Sequence, residues 1–262
     1  MKIKYLGNQS TPKLDSYSPD FLDSIPRNNQ HLNEFFGLDY WNAYEFSYLN
    51  SRNLPVIEPL EIKISMHSVL TVESKSFKLY LASFYNKKFS KPANAYKLIE
   101  KDLTKILGYS VSVRKLNRFN DAPISTLISK FKNKVPKNKV MRFQGFRSIC
   151  PVTSQPDWGN VYIHSGSDSI DSKKLIKLLK SYRKKGDFHE ACIESIFISL
   201  RNDFKIDDLT VYGKFLNISF FEVDRIGLIS IPPLLKNFPY TVKSSILKSF
   251  LNDIKIDSIQ AS

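Results

Sequence analysis

The chain has 262 residues, 42% of them hydrophobic and 13% aromatic, with 39 Lys and Arg against 25 Asp and Glu for a formal charge of +14. This is a globular composition, long enough for one large domain or two small ones with a substantial core. Two cysteines, Cys150 and Cys192, argue against a disulfide framework; no apolar run reaches the length of a membrane span, and Met1 to Asn8 has no apolar signal segment, so the expected location is the cytoplasm.

Residues 1–50 read as an irregular arm holding Pro12, Pro19 and Pro26, then an aromatic-rich stretch at 34–48 that packs on the body of the protein. From residue 54 the pattern turns regular. Residues 59–66 alternate apolar and polar as a half-buried strand, and 69–72 extend it or begin another. Residues 76–89 carry Phe77, Leu81, Phe84 and Tyr85 at helical spacing. After Pro92 a second amphipathic helix covers 93–107, stopped by Gly108, and 109–116 alternates as a strand. A Lys-, Asn- and Pro-containing linker lies near 131–139. The order then repeats: strands at 140–149 and 160–164, helices at 171–182 and 188–202, and a strand over 209–221. Two strand–strand–helix–helix–strand units predict an α+β fold, each unit an antiparallel sheet with helices on one face. The expected organisation is an arm at 1–50, a first unit at 51–134 and a second at 135–262. The halves share this pattern and no visible sequence identity.

The central chemical candidate is the run Ser148-Ile149-Cys150-Pro151-Val152-Thr153-Ser154-Gln155-Pro156-Asp157-Trp158-Gly159. Pro151 and Pro156 hold Cys150 and Gln155 extended, which predicts a stiffened loop presenting a thiol and a carboxyl group to one small volume. The plainer alternative is a buried thiol and a turn aspartate. Glu73-Ser74-Lys75-Ser76-Phe77-Lys78-Leu79-Tyr80 places a carboxylate, hydroxyls and amines at a helix start; taken alone, helix capping by Ser74 or Ser76 with a solvated lysine face is the plainer explanation. In Gly186-Asp187-Phe188-His189-Glu190 the last two residues suit a proton relay, or Asp187 is a cap and His189 a surface residue. Zinc is disfavoured: neither cysteine belongs to a Cys-x-x-Cys pair, and Cys192 lies on an apolar helix face. The positive charge suits a polyanion or a phosphate-bearing ligand, and equally a composition biased toward Lys, Asn, Ile and Phe.

Taken together, Glu73–Tyr80, Cys150–Trp158 and Phe188–Glu190 resemble the motifs of the NADPH-dependent 7-cyano-7-deazaguanine reductases, with Leu6-Gly7 and Ile25-Pro26-Arg27 similar to the arm of the long, two-unit subfamily. The resemblance runs from Leu6 to about Tyr212. It implies tandem tunnelling-fold (T-fold) units, a nitrile reductase of tRNA queuosine biosynthesis, NADPH as cofactor, 7-cyano-7-deazaguanine as substrate, a homodimer, and no membrane or direct nucleic-acid partner. It also implies roles: Cys150 as nucleophile forming a thioimide, Asp157 as proton donor, Val72, Glu73, Ser74, His189 and Glu190 around the substrate, and Ser74 and Lys75 at NADPH. No metal is implied. One departure stands out. Where the family continues to an Arg-Gly-Gly turn, this chain reads Gly213-Lys214-Phe215-Leu216-Asn217-Ile218-Ser219-Phe220-Phe221, so no cofactor contact is carried onto that hairpin. The competing readings are a non-reducing, amidine-forming T-fold paralogue, a basic RNA-binding module, for which aromatic–basic sheet motifs are missing, and an inactive structural remnant.

Overall fold

A computed structural model describes residue 4 and residues 14–27, 35–117, 122–216 and 221–229, with only the backbone at 216 and 221–229. The strands are β1 (Ser24–Pro26), β2 (Phe36–Leu49), β3 (Pro55–Ser65), β4 (Leu70–Val72), β5 (Val111–Lys115), β6 (Thr126–Leu127), β7 (Lys134–Val135), β8 (Val140–Ile149), β9 (Pro156–Ser165), β10 (Ile170–Asp171), β11 (Leu209–Leu216) and β12 (Phe221–Ile229). The helices are α1 (Ser74–Ala82), α2 (Pro92–Leu107), α3 (Ser172–Ser181) and α4 (His189–Asn202). An eight-stranded sheet runs in the order β5-β3-β2-β12-β11-β9-β8-β6. Every pairing in it is antiparallel except β6 with β8. The α+β expectation is met.

Alternation sorts the two faces of the sheet. In β3, Leu60, Ile62 and Ile64 are fully buried toward the helices. Glu61 and Lys63 occupy the opposite face, where Arg114 of β5 donates to Glu61 at 2.5 Å and Lys63 lies over the Tyr40 ring. Helix α2 packs through Ala95, Ile99, Leu103 and Leu107, an i, i+4 stripe, and ends at Gly108 in the left-handed conformation (φ 67°). Helices α3 and α4 bury Leu175, Leu179, Ile193, Ile196, Phe197 and Leu200 in a second core that includes Phe146, Val161 and Val211.

Two expectations are corrected here. Residues 36–49 are no irregular arm: they form β2, the longest strand, paired with β3 on one side and β12 on the other. Residues 24–26, also assigned to the arm, form β1 and pair antiparallel with β4 in a separate two-stranded sheet. The helix expected over 76–89 stops at Ala82, where the Ser83 hydroxyl donates to the Tyr80 carbonyl (2.6 Å), and Tyr85 is exposed.

Candidate active site

The site grows from the end of β8. Gly145 sits at φ 72°, where the β8–β9 register shifts between Gln144 and Phe146. The bulge inserts one residue, so Phe146 and Ser148, both fully buried, turn toward the helices. Beyond Ile149 the chain makes a tight connection: the Cys150 N–H donates to the Gln155 carbonyl (2.8 Å), and the Ser154 N–H donates to the Cys150 carbonyl (3.0 Å). The stiffened loop predicted over 150–157 is therefore shorter than expected. Strand β9 begins at Pro156, a first-strand position that proline tolerates, and Asp157 is already paired across from Ser148. Cys150 is half-buried at the strand end, and Asp157 lies on the strand rather than in a loop.

A second segment closes on this hairpin. The Ile149 N–H donates to the Lys185 carbonyl (3.1 Å), and the Asp187 N–H donates to the Ile149 carbonyl (2.9 Å), a parallel bridge centred on Gly186. This bridge delivers the first turn of α4 to Asp157. Burial raises the Asp157 carboxyl above its ordinary value of 3.8; His189 opposes that shift and Glu190 adds to it. Phe188, not Asp187, is the N-cap of α4, and His189 is buried, so the surface-histidine reading fails. His189 Nδ1 lies 3.6 Å from Glu190 Oε2, while its Nε2 is buried with no hydrogen-bond partner. The ring packs 4.9 Å from Phe215. Gly159 makes room for Phe215, since a Cβ there would stand 2.9 Å from its ring and 2.7 Å from the Lys214 carbonyl.

Glu73 arrives from the first half of the chain. It is fully buried and is itself the N-cap of α1, in place of Ser74 or Ser76. Oε1 accepts from the Lys75 N–H (2.8 Å) and the Ser74 hydroxyl (3.3 Å); Oε2 accepts from the Ser76 N–H (2.7 Å). A carboxylate oxygen accepts about two hydrogen bonds, so Oε2 retains one acceptor position. Ser76 is taken up elsewhere, its hydroxyl donating to the Glu73 carbonyl (2.8 Å) and accepting from the Asp23 N–H (3.0 Å). Val72 is packed in the first core. Lys78 loses basicity to burial, an effect that the Glu73 carboxylate opposes.

Trp41 of β2 joins the halves. Its ring lies 5.7 Å from Phe77 of α1, one turn beyond Glu73, and 6.4 Å from His189 of α4. Trp41 escaped the sequence reading because nothing marks it among the aromatics of 34–48. Truncating this buried ring is expected to lower unfolding stability by about 3–5 kcal/mol. Chemical denaturation of Trp41→Ala checks this; Trp41→Phe should recover most of the loss.

Cys192 stays outside the constellation. It is fully buried, its S–H directed at the Asp187 carbonyl at 4.0 Å, and its thiol is pushed up to about 12 by burial and by the Asp187 charge. The hairpin residues 217–220 lie outside the described residues.

Comparison with known proteins finds matches over most of the chain. The family model described as nitrile reductase, 7-cyano-7-deazaguanine-reductase N-term, matches residues 14–115, and the one described as QueF-like protein matches residues 156–218. A protein of Coxiella burnetii (strain Dugway 5J108-111) named NADPH-dependent 7-cyano-7-deazaguanine reductase is 34% identical over 76% of this chain and 82% of its own length. A Hahella chejuensis protein of the same name is 31% identical over 91% of this chain and 94% of its own. The chain belongs to the 7-cyano-7-deazaguanine reductase family. A third member, from Colwellia psychrerythraea, is 31% identical over 79% of this chain and 85% of its own length. The N-terminal match spans the Glu73 run, and the second match begins at Pro156, next to Asp157, and includes His189 and Glu190.

Proposed function

We propose that the chain is an NADPH-dependent nitrile reductase that converts 7-cyano-7-deazaguanine to 7-aminomethyl-7-deazaguanine in tRNA queuosine biosynthesis, by way of a thioimide on Cys150. The observation that carries the reading is the end of the β8–β9 hairpin, which holds the half-buried Cys150 one pair from Asp157, a carboxyl that burial keeps protonated to higher pH than usual, and onto which the parallel bridge at Ile149 brings the first turn of α4. Sulfur adds to the nitrile carbon, one C–N π bond breaks, and a proton from Asp157 goes to nitrogen, giving the thioimide. That carbon would take up two hydrides, one in each of two rounds, which is the chemistry that NADPH would supply when held at this site. Between the two, Cys150 leaves as thiolate and the product carbon becomes an imine; protons passed by Asp157 and His189 complete the amine. Per nitrile, two NADPH and two protons are consumed. Glu73 Oε2 and Glu190 accept the N–H groups of the base, and the buried, unpartnered Nε2 of His189 faces the same substrate.

The donor set fits an anionic dinucleotide. Ser74 and Lys75, both partly accessible on the first turn of α1, would hold it, and the guanidinium groups of Arg147 and Arg183, each 5.8 Å from the exposed Trp158 ring, add positive charge beside the Cys150 hairpin. Two T-fold units per chain, divided near residue 134 with β2 counted in the first, are part of the proposal; of the two core clusters, one ends at Val113 and the other, apart from Met66 and the flanking Phe35, begins at Ile128, which supports two units. So is a homodimer, since β5 pairs only with β3 among the described residues and offers an open edge. Cytoplasmic placement suits a nucleophilic thiol in a chain whose cysteines are both free. No helix among the described residues is long and apolar enough to cross a membrane.

The test is to mix the protein with the nitrile, weigh the adduct, then add NADPH and count its oxidation. Two NADPH per nitrile, with release of the amine, is the expected result. An adduct without NADPH oxidation would instead favour the amidine-forming class, and no adduct would overturn the reading. Base recognition is tested separately. Glu190→Gln is expected to weaken nitrile binding by about 1–3 kcal/mol, because a donor then faces a donor. Glu73→Gln should do the same and also lower the melting temperature, since its amide meets an N–H of α1. Calorimetry with unchanged affinity in both variants would refute the assignment.

A further inference from the structure

We infer that Arg27, from the segment that precedes the first long strand, is a positioning residue that braces the two walls of the nitrile pocket against each other. The inference rests on the proposed roles of Glu73, His189 and Glu190. Arg27 touches both halves of the chain. Its backbone N–H donates to the Val69 carbonyl (2.9 Å), and its Nε to the Leu70 carbonyl (3.5 Å), in the strand that runs directly into Glu73. That strand is held further by β1, and the Glu73 N–H donates to the Asp23 carbonyl (2.9 Å). The guanidinium then reaches the other wall: Nη2 pairs with Asp39 of β2, and Nη1 lies 3.6 Å from Glu194 Oε1 of α4. Glu194 is four residues after Glu190, one helical turn along the same face.

All three side chains are secluded, with relative exposures of 3% for Arg27, 0% for Asp39 and 8% for Glu194. One cation therefore serves two buried carboxylates, and its removal takes a counter-charge from both, a change that is costly in a secluded site. A planar guanidinium can bond a strand carbonyl and one carboxylate while standing at ion-pair distance from a second, an arrangement that a lysine cannot reproduce. Through Glu194 the brace fixes the rotation and height of the first turn of α4, and through Leu70 it fixes the strand before Glu73. Arg27 itself touches no reacting atom; it sets the distance between the two groups that read the base.

The discriminating experiment titrates adduct formation with the nitrile and separates amplitude, which counts folded active sites, from half-saturation, which measures the pocket. Arg27→Met is expected to raise the half-saturation concentration at least tenfold with amplitude retained, Arg27→Lys to fall between, and Glu194→Gln to raise it several-fold. Unchanged half-saturation in Arg27→Met, whatever its amplitude, would overturn the inference, because a purely structural role lowers amplitude alone. If Arg27→Met does not fold, unchanged half-saturation in Glu194→Gln overturns it. Hydrogen exchange gives a readout free of substrate: amides in the first turn of α4 and in β4 should exchange at least tenfold faster in Arg27→Met, or in Glu194→Gln should Arg27→Met not fold, with α2 unaffected. Wild-type protein that forms no adduct would sink the proposed function, and the exchange data would still decide the brace: unaltered exchange in both elements refutes it.

Discussion

Cys150→Ala is expected to abolish the covalent adduct with the nitrile, whereas Cys192→Ala is expected to keep it. Cys150 directly follows Ile149 and Cys192 contacts the Asp187 carbonyl, so both flank the Ile149–Gly186 bridge, and they differ in what surrounds them. Cys150 ends a strand, is half-buried, and has Asp157 on the neighbouring strand one pair from the hairpin connection. Cys192 has no exposure, and its thiol is pushed up to about 12. At neutral pH its thiolate fraction is then on the order of 10⁻⁵, and the thiolate is the nucleophile. Removing a catalytic nucleophile commonly costs on the order of 10⁴–10⁶ in kcat, with binding left to the remaining contacts. Cys150→Ala should therefore still bind the nitrile reversibly by calorimetry while mass spectrometry shows no mass increase. An adduct that survives in Cys150→Ala, or one lost in a folded Cys192→Ala, would reverse the assignment.

What could be read from the sequence follows from where each signal is stored. Helices α2 and α3 were legible because their buried residues recur every three or four positions against a polar face. Strand β3 was legible because only one of its faces is apolar. Strand β2 was not: Gly37 to Ala43 are buried without a break, on both faces, so the period of two vanishes. Motif residues at the site were legible as residue types. Their meeting was not, because it depends on a backbone bridge between Ile149 and Gly186, 37 positions apart, and on Trp41 contacting Phe77 and His189. The Gly145 bulge likewise left no pattern to read, although it decides which face Ser148 presents. Serines near a helix start suggested a serine cap. The fold uses Glu73 instead, because Ser76 is engaged by Asp23 from a segment whose pairing the local pattern does not encode.

Asp157→Asn is expected to lower the rate of thioimide formation by about 10²–10⁴-fold, the usual worth of a positioned proton donor, while making the protein relatively more stable at neutral pH. Both effects have one origin. Burial raises the Asp157 carboxyl in the folded chain, and Glu190 adds to it, against the pull of His189. Between the unfolded value, near 3.8, and the raised folded value, the folded chain holds a proton that the unfolded chain has released. Stability attributable to this group therefore falls as pH rises through that window, and above it the full penalty of a buried carboxylate applies. Asparagine carries no such penalty. The variant should match the wild type most closely near pH 3.5, where both side chains are mostly neutral, and gain on it by pH 7.5. Urea unfolding at the two pH values measures this difference without any substrate. The same proton governs the chemistry: kcat/KM for adduct formation should decline as pH rises through the folded value of Asp157, and that limb should vanish in Asp157→Asn. If the variant instead loses stability relative to wild type between pH 3.5 and 7.5, the carboxylate is held ionised by His189 in the folded protein. Asp157 would then be an orienting partner of that histidine, and the proton would have to come from the imidazole.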